Sequence, residues 1–204
     1  MLKLEHTEIY GWEAAIRGMR NPLNSWDKSD SDFEYPWPNV GEADLDLMRR
    51  LAKGGAAHAK YRRMINVTVD IVGPLYWWKE FDTYKIGTVA NSCSTMHKLH
   101  ECSLTLNDFS YEHLNEDSLE VLSELIKWLN VCRYQFVTKK NKEDWWQMIQ
   151  LLPTSYNQRR TVQLNYEVLV RIYKDRKNHK LDEWHTFCDW IKSLPHSELI
   201  TVEE

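Results

Sequence analysis

Glycine is scarce and unevenly placed. The chain has seven, all at or before Gly87. No glycine-rich phosphate loop can form in the second half, and neither GxGxxG nor a P-loop pattern occurs anywhere, so dinucleotide-fold and P-loop readings lack support. Long apolar runs are absent too, which argues against a membrane span. The first residues, MLKLEHTEIYGWE, carry acids where a secretion signal needs an apolar core. Four cysteines without a CxxC pair are expected to be reduced and partly buried, as in a cytoplasmic protein. A net charge of −4 argues against broad, non-specific adhesion to duplex nucleic acid, which needs a basic face, though a few local Arg and Lys suffice for one phosphate pocket.

Aromatic surface, by contrast, is plentiful. Ten tryptophans in 204 residues suggest a large core, subunit interfaces, or rings that stack on a planar ligand. In the adjacent pairs Trp77-Trp78 and Trp145-Trp146, helical spacing predicts one ring in the core and the other at an interface or pocket lid.

The pattern predicts an extended start, then a helix around Trp12 to Met19. Residues 21–40 read as a long polar loop with three prolines; its acidic run, Asp27 to Glu34, reads as solvated. Asp44 to Lys53 is an expected helix with Leu47 and Leu51 one turn apart, ended by Gly54-Gly55. In Met64 to Val72, Ile65, Val67, Val69 and Ile71 alternate with polar residues, a strand that Gly73-Pro74 should stop. A helix over Leu75 to Tyr84 follows. Leu119 to Phe136 is a helix striped by Leu119, Leu122, Ile126 and Leu129. Asn141 caps the next helix, with Asp144 in its first turn. A strand over 155–163 precedes helices from Asn165 to Lys174 and from Leu181 to Ser193, the last burying Trp184, Cys188 and Ile191. The balance is α+β in a single domain over 1–204, helix-rich with a small, mostly antiparallel sheet.

Candidate chemistry lies in two segments. In the first, Leu152-Pro153 stops a helix, Asn165 follows twelve residues after the proline, and Arg176 eleven after that. Asn165 opens a helix that carries Arg171 and Arg176, with His179 just beyond; an Asn and two Arg on one helix after a polar strand could form an anion-binding wall. On residues alone, Arg176 could equally pair with Asp175 or Glu183 on the helix surface. Arg159 and Arg160 share a strand, so at most one faces any one site. In the second segment, residues 58–97, a strand feeds a helix and then a polar stretch. Cys93, His97, His100 and Cys102 match no standard zinc spacing, so no metal is expected. Ser92, Ser94 and His97 lack a nucleophile elbow.

Together these segments resemble the flavin-dependent thymidylate synthases. That family has the Leu-Pro, Asn, Arg spacing kept by Pro153, Asn165 and Arg176. It also has an upstream His, a Gln, and a signature RHRxxSxNExSxRY. His58 falls near the upstream His and Glu80 takes the place of the Gln. Thr83, Tyr84 and Lys85 stand at Arg-His-Arg, and Thr88 at the first Ser. Asn91 with Cys93 or Ser94 follows the NExS part. The closing Arg-Tyr becomes Thr95-Met96 or Met96-His97, and Ile149 stands at a further phosphate-binding Arg.

The resemblance implies a flavin-dependent-thymidylate-synthase-like fold and a homotetramer with sites between subunits. It implies nucleotide contacts at Glu80, Asn91, Ser94 and Arg176, with Arg176 favouring an ionised pyrimidine as the catalytic residue. It implies FAD contacts at His58, Lys85, Thr88, Asn165 and Arg171. The departures remove most of the arginine clamp on phosphate. Losing two charge-assisted bonds costs about 2–4 kcal/mol. Three functions stay open: a nucleotide-binding homo-oligomer with catalysis altered or lost, that is, a pseudoenzyme; an active FAD-dependent methyltransferase on dUMP or a related nucleotide; and a non-enzymatic protein that sequesters a nucleotide or regulates through one.

Overall fold

The computed structural model describes residues 2–34 and 39–202. The sequence expectations for the stretch holding Pro36 and Pro38 lie outside them. The described residues form eight α-helices and one small antiparallel sheet, an α+β fold. Its strands are β1 (Lys3–Tyr10), β2 (Asn66–Pro74), β3 (Val89–Ser92) and β4 (Asn157–Asn165), in the order β1-β2-β4-β3. Two compact units make up the chain.

One unit holds Leu4–Asp70, Tyr84–Ala90 and Val162–Glu204. β1 leads into helix α1 (Trp12–Arg20) through Gly11, whose φ is +97°. A Cβ there would fall 2.1 Å from the Met64 carbonyl oxygen, so only glycine fits. Two 3-10 turns follow, Asn21–Leu23 and Trp26–Lys28, where the sequence predicts irregular loop.

Helix α2 (Glu42–Lys53) ends at Gly54, as expected. Its buried stripe is Asp44, Leu45, Met48 and Ala52, whereas Leu47 and Leu51 are only half-buried. The reason is polar. The Asp44 carboxylate is fully buried and accepts from Arg20 Nε at 2.5 Å, Ser29 Oγ at 2.6 Å and Ser31 Oγ at 2.7 Å. That clasp turns the helix about its axis. Asp30 caps it, accepting from the backbone N–H of Ala43 and Asp44. Part of the acidic run is therefore helix-capping rather than merely solvated.

The alternation in β2 is borne out: Ile65, Val67, Val69 and Ile71 are all fully buried. In this same unit, helix α7 (Tyr166–Arg176) and helix α8 (Asp182–Ser193) follow β4. α8 buries Trp184, Cys188 and Ile191 as read from the sequence.

The other unit holds Met1–Lys3, Ile71–Thr83 and Asn91–Thr161. β2 runs through Gly73 to Pro74 rather than stopping at Val72, and Pro74 is the N-cap of helix α3 (Leu75–Phe81). Trp77 and Trp78 are both fully buried, which corrects the expectation of one outer ring. Their rings meet edge-on at 4.8 Å, and Trp78 Nε1 donates to the Gln158 carbonyl at 3.0 Å, which lets the polar end go inside.

Helix α4 (Thr95–Lys98) is short. Helix α5 (Glu116–Lys139) is longer than its apolar stripe predicts: Asn115 caps its start and Lys140 closes it in a left-handed conformation. Helix α6 (Lys142–Leu151) is capped by Asn141, as expected. Leu122, Ile126, Leu129 and Cys132 of α5 pack with Leu104, Phe109 and Met148 in this unit's core. All four cysteines are free; Cys93 and Cys102 are exposed.

Candidate functional site

The site grows from the end of β4. There Asn165 leaves extended backbone and its side-chain oxygen accepts from the Val168 N–H at 3.1 Å, starting α7. The segment 84–90 lies against this start. Gly87, at φ +79°, comes so close that a Cβ would sit 3.0 Å from Val168 Cγ2 and 3.3 Å from Asn165 Nδ2. A bulkier residue would be strained and would push the segment off the helix.

From its position before this glycine turn, Tyr84 reaches the far end of α7. Its side chain is buried, with 5% exposed. Arg176 Nε donates to the Tyr84 hydroxyl at 2.8 Å, and that hydroxyl donates to Asp175 Oδ2 at 3.3 Å. The Arg176 guanidinium also lies 4.7 Å from the Trp184 ring and 5.5 Å from the Tyr84 ring. Cation–π contact and the phenol together fix its direction. Arg171 flanks the same phenol at 5.7 Å and pairs with Asp175 at 3.8 Å. Burial pushes the Tyr84 hydroxyl above its usual pKa; Arg176 draws it back and Asp175 raises it. The phenol is therefore neutral at physiological pH and can donate to Asp175 while accepting from Arg176.

This cluster brings Thr88, Asn165, Arg171 and Arg176 into one unit, with exposed Lys85 beside Tyr84. The Thr88 hydroxyl is buried and has no hydrogen-bond partner among the described residues. His179, just past α7, accepts from the Leu181 N–H through Nδ1 at 3.2 Å.

His58 belongs to the same unit but to a different place. It lines a groove of about 790 Å³ with Leu47, Leu51, Tyr61 and Met64. Glu80, Asn91 and Ser94 belong to the other unit. Ser94 Oγ accepts from the His97 N–H at 3.2 Å and caps α4, Asn91 lies exposed on β3, and the Glu80 carbonyl accepts from Thr83. Among the described residues, no three His, Cys, Asp or Glu side chains gather as a metal set.

Sequence reasoning missed Tyr84 as an organiser of Arg176, because Tyr84 registered only as a replaced His; Asp175, weighed there as an ion-pair partner of Arg176, accepts from the Tyr84 hydroxyl. It also missed Arg160 as a built feature. Its guanidinium stacks 4.3 Å from the Trp78 ring and donates to Asp82 at 2.8 Å and to Gln158 at 3.0 Å. Arg159, its neighbour, is exposed, as strand alternation requires.

No protein-family model matches the chain, and no curated protein matches it. Solved structures do. A crystal structure of Thymidylate Synthase X (ThyX) from Helicobacter pylori with FAD and dUMP superposes with a TM-score of 0.70 at 18% identity, covering 98% of each chain. A second, of flavin dependent thymidylate synthase ThyX from the same organism complexed with FAD and dUMP, gives 0.69 at 19% identity over 98% of this chain and 97% of that one. The UMP/dUMP methylase PolB from Streptomyces cacaoi, bound with 5-Br dUMP, gives 0.63 at 13% identity over 98% of this chain and 94% of that one. From end to end, the chain has the fold of the flavin-dependent thymidylate synthase ThyX.

Proposed function

We propose that this protein binds a nucleotide through the Arg176 cluster, as a homotetramer with its sites between subunits, and that ThyX-type catalysis is altered or lost. One observation carries the reading: the guanidinium of Arg176 is held in one direction by Tyr84 and Trp184. A fixed cation pays little ordering entropy on meeting an anion, and a guanidinium binds carbonyl or phosphate oxygens through paired, charge-assisted bonds. Beside a pyrimidine carbonyl it would stabilise negative charge on the ring. The shared fold supports the ligand class, since the similar structures hold dUMP or its 5-bromo derivative. Glu80, Asn91 and Ser94 are further nucleotide contacts on the resemblance alone.

Flavin fits this cluster poorly. At the Arg-His-Arg positions, Thr83 is short, Tyr84 is turned inward onto Arg176, and Lys85 alone offers an exposed cation. The Asn165 oxygen caps α7, and Arg171, largely exposed, meets Asp175 at 3.8 Å. Lys85 and Arg171 are the exposed cations this cluster offers a pyrophosphate, in place of the two signature arginines, and no chemical step is assigned to FAD.

The test is a thermal-shift panel that includes dUMP and UMP, run beside native mass spectrometry and a flavin absorbance spectrum. A colourless tetramer stabilised by a nucleotide is the expected result. A yellow protein that oxidises NADPH only with dUMP present would overturn the loss of catalysis. A protein indifferent to every nucleotide would overturn the binding reading.

A further inference from the structure

Two apolar side chains of α2 are left out of the core. The Asp44 clasp turns the helix so that Leu45, Met48 and Ala52 go inside, while Leu47 and Leu51 stay half-buried. Four residues apart, those two share a face. That face walls the groove which His58 also lines. Met19, near the end of α1, and Met64, 41% exposed, continue the apolar lining, and Leu23 adds to it at 85% exposed. The walls are tied to one another. Arg20 Nε donates to Asp44, joining α1 to α2. The Tyr61 hydroxyl donates to the Met48 carbonyl at 2.9 Å, joining the 3-10 turn Lys60–Arg63 to α2. The resulting cavity of about 790 Å³ has the size of a preformed small-molecule site.

Its charged groups are mostly of one sign. Asp46 is the acid that borders open space, and Arg50 Nε already meets it at 3.0 Å. Lys28 and Lys60 also line the groove, are exposed, and have no side-chain partner among the described residues. In a chain of net charge −4, two unpaired lysines beside an apolar cavity favour an anion. The lining also sets the shape of the body. Leucine and methionine side chains adapt to a flexible aliphatic chain. Among the described residues that line the cavity, Tyr61 is the one Phe, Tyr or Trp, and its hydroxyl is engaged, so a planar ring has no second aromatic face to lie against.

We infer that this groove binds a single-chain amphiphilic anion, a long-chain carboxylate free in solution. The chain lies along Leu47, Leu51, Met19 and Met64, and the carboxylate meets Lys28 and Lys60 at the rim. Burial of the chain supplies most of the affinity. The lysines fix which end points outward and discriminate against an uncharged chain of equal length. A walled cavity accepts one molecule, whereas a bilayer would need a protruding apolar surface. The inference does not depend on nucleotide binding.

Fluorescence titration of cis-parinaric acid, a naturally fluorescent long-chain fatty acid, into the full chain below its micellar concentration tests it. Binding should saturate, and laurate should displace the probe far better than dodecanol. Lys28→Glu combined with Lys60→Glu should weaken probe binding roughly tenfold and melt with the parent, because both side chains are exposed. Leu47→Glu, which sets a carboxylate on the wall, should weaken it at least as much; the lysine variant decides the matter even where Leu47→Glu folds poorly. Absence of saturable binding, dodecanol competing as well as laurate, unchanged affinity in the lysine variant, or displacement of the probe by FAD would each overturn the proposal.

Discussion

Asp44→Asn removes one charge from a buried clasp and little else. Both partners are inside: 5% of the Arg20 side chain and none of the Asp44 side chain is exposed. After the change, Arg20 keeps its bond to the Ser25 carbonyl at 3.1 Å but has lost its counter-charge. Breaking a buried pair from one side typically costs 3–5 kcal/mol. The retained carboxamide oxygen places this case near the lower end, about 3 kcal/mol. In a chain of this length that lowers Tm by roughly 6–12 °C.

The pH dependence sharpens the prediction. Burial pushes the Asp44 carboxyl up, but hydrogen bonds from Ser29, Ser31 and Arg20, with the Arg20 charge, outweigh it and hold the pKa below 3.8. A carboxyl depressed in the folded state contributes stability that is present above the unfolded value and lost as pH falls through the folded one. Urea titrations should therefore show parent and variant far apart at pH 7 and converging below about pH 3.8. A difference under about 1 kcal/mol at pH 7, or one that persists unchanged in acid, would refute the assignment of this clasp.

Two further outcomes follow from the same geometry. Tyr84→Phe deletes the hydroxyl that holds Arg176; it should cost about 1 kcal/mol of stability and weaken nucleotide binding roughly five- to tenfold, read by urea unfolding and calorimetric titration. An undiminished affinity would mean that the phenol does not position Arg176. Burial raises the Tyr61 pKa to about 12, while the hydroxyl donates to the Met48 carbonyl at 2.9 Å. Its neutral form is favoured by folding, so that contribution is intact below pH 10 and lost between about pH 10 and 12; Tyr61→Phe should flatten that part of the stability–pH curve relative to the parent.

Much of the fold is legible because it is local. MINVTVDIV alternates with period two, and every apolar member of its stripe is buried. The pattern marks Asn141 as a cap but not Asn115, and α5 accordingly begins three residues before the expected Leu119. Rotation of a helix is less legible. The buried stripe of α2 is chosen by Arg20, Ser29 and Ser31, which lie 13 to 24 residues away in sequence. The same holds for Trp78, whose burial depends on the Gln158 carbonyl 80 residues on. At the candidate site, spacing picks out Arg176 and Asn165, but Tyr84 lies 92 residues from Arg176, and nothing in either segment announces that pairing.

The most direct measurement is calorimetric titration of dUMP and UMP into the parent and into Arg176→Ala. The account predicts binding to the parent, and loss of at least tenfold in affinity in the variant, with the melting curve without nucleotide and the oligomeric mass unchanged. Equal affinity in the two proteins would contradict it.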